Sequence, residues 1–246
     1  MNSFPNFRDL GGHLAPDGRK IRSGLLFRSG QLGAMTKGEI QSVLSLGIRT
    51  VVDLRSAKES AKCKVIGDGV NTVCLPIELE AKYRQRVQPV LYRKNTREQI
   101  SSIVASVYAG LVKDEMVTVR RLFVILAAPH NYPLLIHCRA GQDRTGFVCA
   151  LILLSLGVDK NVIIRDYLLS AGYSVPRVRT MARLLRVVSL GFVSTDNFEA
   201  AFTAHESYVQ AVFNEIAATF GTIDGYLKSC GVPQPDLHEF RGFVLR

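Results

Sequence analysis

Residues 137–146 read HCRAGQDRTG, and this stretch decides the fold. Three apolar residues at 134–136 lead into it, and an apolar segment at 147–156 leads out of it. The first segment is typical of a strand and the second of a helix. The cysteine therefore lies where a strand ends, and the arginine at 144 lies where a helix begins. The turn between them gathers backbone N–H groups against a helix N-terminus, which predicts a site for an anion.

Phosphoryl transfer to sulfur is the chemistry that uses such a site. The thiolate is the nucleophilic form of cysteine, and helix N-termini and nearby cations stabilise it. Cys138 is therefore the candidate nucleophile, and Arg144 is the candidate phosphate ligand, because its planar guanidinium can donate to two oxygens. Thr145 can donate a hydrogen bond to the sulfur when it leaves in a second step. The loop residues expected to bind the phosphate with Arg144 are Arg139, Ala140, Gly141 and Gln142.

This pattern resembles the signature of the cysteine-dependent tyrosine phosphatases. That signature is His-Cys, five residues, Arg and then Ser or Thr, with Gly three residues after the Cys, and residues 137–145 match it at every position. A narrower similarity, to the bacterial enzymes related to a secreted mycobacterial phosphatase and its Listeria counterpart, extends over most of the chain. It is carried by NFRDLGG at 6–12, LFRSG at 26–30, LGIRTVVDLRS at 46–56 and DYLLS at 166–170.

The resemblance implies roles for the acidic residues and for the histidine. It places the general acid directly before the arginine, at Asp143, which would protonate the leaving oxygen and then accept a proton from water. The alternative is an acid that serves only the first turn of the helix. Asp53, at the end of a predicted strand, is the second candidate for the acid, and its alternative is a partner for Arg55. His137 supports the loop by hydrogen bonds in this family.

One position departs from the family pattern. Close relatives carry lysine directly before the acid, and this chain has Gln142. The loop lysine accompanies activity on inositol lipids, so the glutamine favours phosphotyrosine. The expected function is a protein tyrosine phosphatase that forms a phosphocysteine at Cys138. The alternatives are a phosphoinositide or phosphoserine/threonine phosphatase, or a phosphate-binding module of weak activity. No metal or cofactor is expected, because Arg144 and the loop amides supply the positive charge.

Composition bears on partners and location. The formal net charge of +10 attracts anions in general. No nucleic-acid-binding motif accompanies the charge, so the expected partner is a phosphotyrosine-bearing protein or another phosphomonoester and not a nucleic acid. No apolar run is long enough for a membrane span, and the first residues lack the pattern of a secretory signal. Five cysteines without C-x-x-C spacing fit a reducing compartment. A cytoplasmic location is expected, with export by a route that needs no signal as the alternative.

Alternating segments predict an α/β fold, with a mostly parallel central sheet flanked by helices and a helical C-terminal half. Residues 1–246 are expected to form one tyrosine phosphatase-like catalytic domain. Strands are predicted at 50–54, 73–77 and 134–137. Helices are predicted at 37–46, 101–113, 116–127, 144–156, 159–168, 175–189, 196–220 and 222–230.

Two segments have two interpretations each. Residues 81–98 are charged and irregular, and the resemblance implies a helical lid around 80–113, whereas the alternative for the charged stretch is a solvated loop. On the predicted helix 175–189, Arg179, Arg183 and Arg186 share one face. This face is either an ordinary solvated surface or a rim that binds phosphorylated substrates.

Overall fold

The strands of the protein form one five-stranded sheet. A computed structural model describes residues 6–32, 36–60, 69–92 and 95–246. The sheet order is β1-β2-β5-β3-β4; β1 is antiparallel to β2, and all other neighbours are parallel. The predicted α/β class with a mostly parallel sheet is confirmed. The strands are β1 Arg8–Asp9, β2 Leu26–Ser29, β3 Thr50–Asp53, β4 Asn71–Cys74 and β5 Leu134–His137.

The sheet register determines where the site lies. His137, the last residue of β5, is level with Ser29 at the end of β2 and with Asp53 at the end of β3. Because these three strands are parallel, the segments that leave them meet at the same edge of the sheet. Ligand sites of parallel sheets lie at this edge.

Helices cover the sheet and make up the C-terminal half. Among the described residues, none of these helices has both the length and the apolar character needed to cross a membrane. A five-residue π-helical turn, Tyr83–Val87, connects α3 to α4, and a 3₁₀ turn, Pro129–Asn131, follows α6. The helices are α1 Lys37–Leu44, α2 Ala57–Ser60, α3 Glu80–Lys82, α4 Gln88–Leu91, α5 Arg97–Asp114, α6 Met116–Ala127, α7 Asp143–Ser155, α8 Lys160–Val188, α9 Thr195–Phe202, α10 Glu206–Phe220, α11 Ile223–Ser229 and α12 Gln234–Val244.

Helix α7 runs through the core and fixes the loop that precedes it. Ten of its 13 residues are buried. Gly146 in its first turn lies so close to Tyr167 of α8 that an added Cβ would be 2.7 Å from the ring. The loop before α7 is therefore anchored between the central strand and a helix that is surrounded by apolar side chains.

Two sequence predictions about helices were wrong. The separate helices at 159–168 and 175–189 are one helix, α8, which continues through Pro176 because its flank packs on α9 and α10. The single helix at 196–220 is two, because Thr203 is extended and the His205 side chain caps α10 by accepting from the Ser207 N–H. For the charged segment with two interpretations, the helical one agrees with the described residues 80–91, where Val87 and Leu91 are buried in the core.

Two smaller predictions also differ from the structure. The strand predicted at 73–77 lies at Asn71–Cys74. Beyond it, Leu75 and Ile77 are buried and their N–H groups donate to the oxygens of Asp53 and Leu54. Helix α12 was not predicted at all. Its start after Pro233 buries Leu237 and Phe240 against the rest of the core.

Candidate active site

The Cys138 loop, residues 138–144, forms a cup at the edge of the sheet. Cys138 is only 2% exposed, and its Sγ accepts the N–H of Gly141 at 3.3 Å. Gly141 has φ +68°, and a Cβ there would lie 2.5 Å from the carbonyl oxygen of Ser29. Glycine is therefore required at this position. Helix α7 begins at Asp143, so its N-terminus and the loop amides both favour a negative charge in the cup.

Two side chains from the start of the chain hold the loop carbonyls on its outer side. Asn6 Nδ2 donates to the oxygen of Gly141 at 2.7 Å and to that of Ala140 at 3.3 Å. Arg28 Nη2 donates to the oxygen of Gly141 at 2.8 Å. The C=O and the N–H of one peptide bond point in opposite directions. Because the two carbonyls are held on the outer side of the loop, the N–H groups of the same peptide bonds point towards Cys138.

A buried ionic network supports these contacts. Arg28, 1% exposed, pairs with Asp166 at 2.7 Å, and Arg8 pairs with the other oxygen of Asp166 at 2.6 Å. Burial alone would raise the pKa of Asp166, but Arg28 and Arg8 together hold it below its usual value. Arg8 also donates to the side chain of Asn6. The motifs at 6–12, 26–30 and 166–170, which carried the family resemblance, thus meet in one network behind the loop.

Arg144 is held by an acid that sequence reasoning missed. Its guanidinium donates to Glu59 of α2 at 2.5 and 3.0 Å. This hydrogen bonding lowers the pKa of Glu59 to about 2. Burial works against the charge of Arg144, but Glu59 outweighs it and raises the pKa of the guanidinium. The available sequence signal was the Ser56-x-x-Glu59 spacing of a capping box, whose two hydrogen bonds are 3.0 and 3.4 Å long.

Asp143 lies at the centre of a second group of hydrogen bonds. Its Oδ1 accepts from Tyr108 Oη at 2.5 Å and from Gln142 Nε2 at 3.1 Å. The hydroxyl of Tyr108 is also 2.9 Å from that of Tyr167. Burial, followed by the charge of Asp143, raises the pKa of both tyrosines, so both remain neutral donors. No local sequence pattern identifies Tyr108, because it lies on α5, 35 positions before its partner.

The supporting residues named from the sequence form a layer beneath the loop. Asp53 pairs with Arg55 at 2.6 Å, and His137 Nε2 lies 3.7 Å from Asp53 Oδ1. Burial would raise the pKa of Asp53, but hydrogen bonds from Arg55 and the proximity of His137 lower it. Burial lowers the pKa of His137. The structure therefore places Asp53 as an ionised partner of Arg55, away from the residues around Asp143.

Thr145 and Arg139 occupy opposite environments. Thr145 is fully buried in the first turn of α7, and its hydroxyl has no hydrogen-bond partner within the described residues. Arg139 is exposed at the rim of the cup. Across the described part of the chain, no group of three or more His, Cys, Asp or Glu side chains could hold a metal ion.

Two neighbouring spaces lie at the cup. Cys138 lies in a pocket of about 220 Å³ that also has Leu79, Tyr83 and Phe202 in its walls. A larger cleft of about 440 Å³ shares four residues with this pocket: Arg139, Ala140, Asp143 and Phe202. The other side of the cleft is formed by α8 and α9, through Tyr173, Ser174, Arg177, Val178, Met181 and Phe198. The spaces together form a continuous surface that leads to the thiol.

Comparisons with known proteins identify the family of the chain. The sequence model of the tyrosine phosphatase family matches residues 1–246. A protein named as a tyrosine-protein phosphatase from Cupriavidus necator is 32% identical, with 100% of this chain and 87% of the relative covered. The triple specificity protein phosphatase PtpB of Mycobacterium tuberculosis is 28% identical, with 98% of this chain and 96% of the relative covered. A solved structure of P. aeruginosa TpbA in complex with pTyr has a TM-score of 0.40 at 17% identity, over 95% of this chain and 100% of that one. The chain belongs to the tyrosine phosphatase family.

Proposed function

We propose that this phosphatase removes phosphate from phosphotyrosine in proteins and forms a phosphocysteine at Cys138. One observation carries the proposal: the Cys138 sulfur accepts the Gly141 N–H at the floor of a pocket that also contains Asp143 and Arg144. The thiolate, the phosphate ligand and an acid are thus within one enclosed space. The substrate is at least a phosphorylated compound, as family membership requires, and phosphotyrosine is the finer proposal.

In the first step the thiolate of Cys138 attacks phosphorus. The S–P bond forms while the bond from phosphorus to the leaving oxygen breaks, and Asp143 in its acid form gives that oxygen a proton. A guanidinium has five N–H donors, and Glu59 accepts two of those of Arg144. The remaining donors and the loop amides stabilise the equatorial phosphate oxygens as charge develops.

In the second step water attacks the phosphocysteine. The carboxylate of Asp143 takes the proton of the water, the S–P bond breaks, and inorganic phosphate and the thiolate are released. The buried hydroxyl of Thr145, one residue after Arg144, supplies a hydrogen bond to the departing sulfur. The free donor capacity of this hydroxyl supports that role.

The depth and walls of the pocket support phosphotyrosine. Cys138 is buried, and the rings of Tyr83 and Phe202, whose centroids are 5.7 Å apart, line the way to it. A phenyl ring reaches the sulfur while contacting these walls, whereas the shorter phosphoserine side chain does not extend as far. A polyphosphorylated inositol requires further cations, and Gln142 supplies none.

The adjoining cleft supports a peptide substrate. Gln142 and Ser174 line it, and their side-chain oxygens Oε1 and Oγ are buried without a hydrogen-bond partner in the described structure. An unpaired buried acceptor favours a ligand that brings a donor, and a peptide N–H is such a donor. We propose that the cleft accepts an apolar residue adjacent to the phosphotyrosine, between Met181 and Phe198. Phe198→Ala should then raise KM for such a phosphopeptide several-fold and leave p-nitrophenyl phosphate unaffected.

Three further proposals concern the whole chain. Residues 1–246 act as one catalytic domain. The segment Glu80–Leu91, which places Glu80 and Tyr83 in the pocket wall, is the part of the predicted 80–113 lid that covers the site, whereas α5 carries Tyr108 and is built into the core. The requirement of a thiolate enzyme for reduced cysteine supports a cytoplasmic location.

The chemical roles can be tested with hydrolysis of p-nitrophenyl phosphate in the presence of EDTA. Wild-type activity should persist without metal, and Cys138→Ser should abolish it. Asp143→Asn should slow an alkyl phosphate more than p-nitrophenyl phosphate, because a poor leaving group depends more on the acid. Equal loss on both substrates would contradict the role of Asp143. A turnover by Cys138→Ser close to that of the wild type would contradict the role of the nucleophile.

Substrate choice can be tested with a phosphotyrosine peptide and a phosphoinositide. We expect the wild type to prefer the peptide. Gln142→Lys, which introduces the loop charge that the family resemblance implies at this position, should shift the ratio towards the lipid. An unchanged ratio would remove Gln142 from the account, and a wild-type preference for the lipid would overturn the assignment of phosphotyrosine.

A further inference from the structure

The end of α8 and the turn after it expose apolar side chains. Leu190 is 88% and Phe192 is 74% exposed, and Leu184, Val187 and Val188 are also largely solvent-exposed. Together with Arg183 and Arg186 they form what we call the outer α8 surface. Exposed apolar clusters of this kind mark sites of interaction with proteins or membranes.

Positive charge predominates around these side chains, and the acid nearest to Phe192 in the sequence is Asp196 at the start of α9. Residues 167–195 contain four arginines and no acidic residue. Arg179 pairs with Glu199 on α9, whereas no ion pair within the described ranges involves Arg183 or Arg186. These two arginines are exposed, one turn apart and beside the apolar positions. The surface therefore combines apolar area with uncompensated positive charge.

The turn itself presents its apolar residue at an energetic cost. Leu190 has φ +51°, a conformation that residues other than glycine seldom adopt. The hydrogen bond from Gly191 N to the oxygen of Arg186, 2.7 Å long, fixes the turn. With the bond from Leu190 N to the oxygen of Val187, this turn is a helix C-cap, so the cost is that of a leucine where glycine is usual.

We propose that the outer α8 surface binds an anionic lipid bilayer, with the apolar side chains at the acyl boundary and the arginines at the headgroups. A helix with adjacent apolar and cationic faces binds membranes in this way. A second copy of the chain is a less favourable partner for this surface. In a symmetric pair, Arg183 and Arg186 of one copy would lie close to the same two residues of the other copy, and the like charges would repel. The proposal does not depend on turnover and thus stands apart from the proposed function.

Docking in this way would affect access to the active site. Helix α8 also supplies Tyr173, Arg177 and Met181 to the cleft beside the Cys138 loop. A bilayer on the outer α8 surface therefore lies next to the entrance of the cleft. Attachment of the enzyme would therefore place its active site close to phosphorylated groups at the membrane surface.

Vesicle sedimentation tests the proposal with the full chain. The vesicles are pure phosphatidylcholine or phosphatidylcholine mixed with phosphatidylglycerol, at low and at high salt. The apolar variant is Leu190→Ser with Phe192→Ser, and the charge variant is Arg183→Gln with Arg186→Gln. The matched control is Val117→Ser with Arg121→Gln, which changes an exposed apolar residue and an exposed cation on α6. Circular dichroism and p-nitrophenyl phosphate hydrolysis show that each variant is folded.

We expect binding to the mixed vesicles that high salt weakens, with neutral vesicles bound at least about tenfold more weakly. Each outer-surface variant should bind the mixed vesicles about tenfold less, and the control should bind as the wild type does. Three results would overturn the proposal: no vesicle binding, equal binding to neutral vesicles, or binding by both outer-surface variants at the level of the control. A concentration-dependent dimer that the apolar variant abolishes, without vesicle binding, would assign the surface to a second copy.

Discussion

The side chains behind the Cys138 loop and those on the outer α8 surface differ in whether they have partners within the folded chain. Behind the loop, Arg28 and Asp166 are buried ions that find partners within the chain. On the outer α8 surface, Leu190 and Phe192 are apolar groups that lie in water. The ions behind the Cys138 loop thus have their partners within the chain, whereas the proposed binding of a bilayer would cover the apolar groups of the outer α8 surface. Substitutions should therefore affect stability in the first region and association in the second.

The largest expected effect is on stability, from Asp166→Asn. This change leaves Arg28 and Arg8 with uncompensated buried charge, so the free energy of unfolding should fall by about 3–5 kcal/mol. Urea denaturation gives the value. Asp17→Asn is the matched control, because its pair with Arg19 is exposed, and it should cause no measurable change. Leu184→Ser on the outer α8 surface should likewise be neutral. Similar losses in all three variants would break the comparison between the regions.

The next effect concerns the orientation of Arg144. Glu59→Gln keeps the size of the side chain but cannot accept two charged hydrogen bonds, so the guanidinium is less well fixed. We expect kcat/KM to fall about 10-fold to 100-fold. Glu80→Gln, a change in the same pocket wall, is the control and should stay near the wild type. A lower KM in Glu59→Gln would show instead that Glu59 competes with phosphate for Arg144.

The contribution of Glu59 to the free energy of unfolding should depend on pH. The pKa of Glu59 falls from 4.5 to about 2 on folding. Its contribution is therefore present above pH 4.5 and is lost as the pH drops towards 2. The stability difference between the wild type and Glu59→Gln should shrink over this window. A difference that stays constant down to pH 2 would mean that the pair with Arg144 does not persist in solution.

The smallest effect concerns His137. Burial lowers its pKa below the ordinary value of 6.5, so below pH 6.5 the unfolded chain takes up the proton first and the folded state loses stability. The slope from one such group is at most about 1.4 kcal/mol per pH unit. His137→Gln should flatten the stability curve between pH 6.5 and 5, and His130→Gln, a change at an exposed histidine, should not. An unchanged slope in His137→Gln would show that folding does not alter the pKa of this imidazole.

Much of the fold and the centre of the site could be predicted from local patterns. The strand, loop and helix around Cys138 are contiguous, so residues 137–146 encode the cup and its helix N-terminus directly. The parallel sheet followed from alternating segments. Local patterns predicted poorly where a helix continues and where it ends. Helix α8 continues through Pro176 because α9 and α10 pack along it, and the periodicity of the sequence does not show that packing.

The partners that hold the site could not be predicted, because they are distant in sequence. Tyr108 contacts Asp143 across 35 positions, and Glu59 contacts Arg144 across 85. The motif containing Asn6 was recognised as a family feature, but its function of fixing the carbonyls of Ala140 and Gly141 required coordinates. Local sequence thus defines the reacting groups, and the tertiary fold defines their orientation.

The central claim is that phosphate passes through the sulfur of Cys138, and trapping the intermediate tests it most directly. Asp143→Asn, which should slow hydrolysis of the phosphocysteine, is mixed with p-nitrophenyl phosphate, quenched in denaturant and digested for mass spectrometry. We expect one added phosphoryl group on the peptide that contains Cys138, and none in Cys138→Ser treated identically. Continued release of p-nitrophenol with no adduct at Cys138, or with the phosphoryl group on another residue, would contradict it.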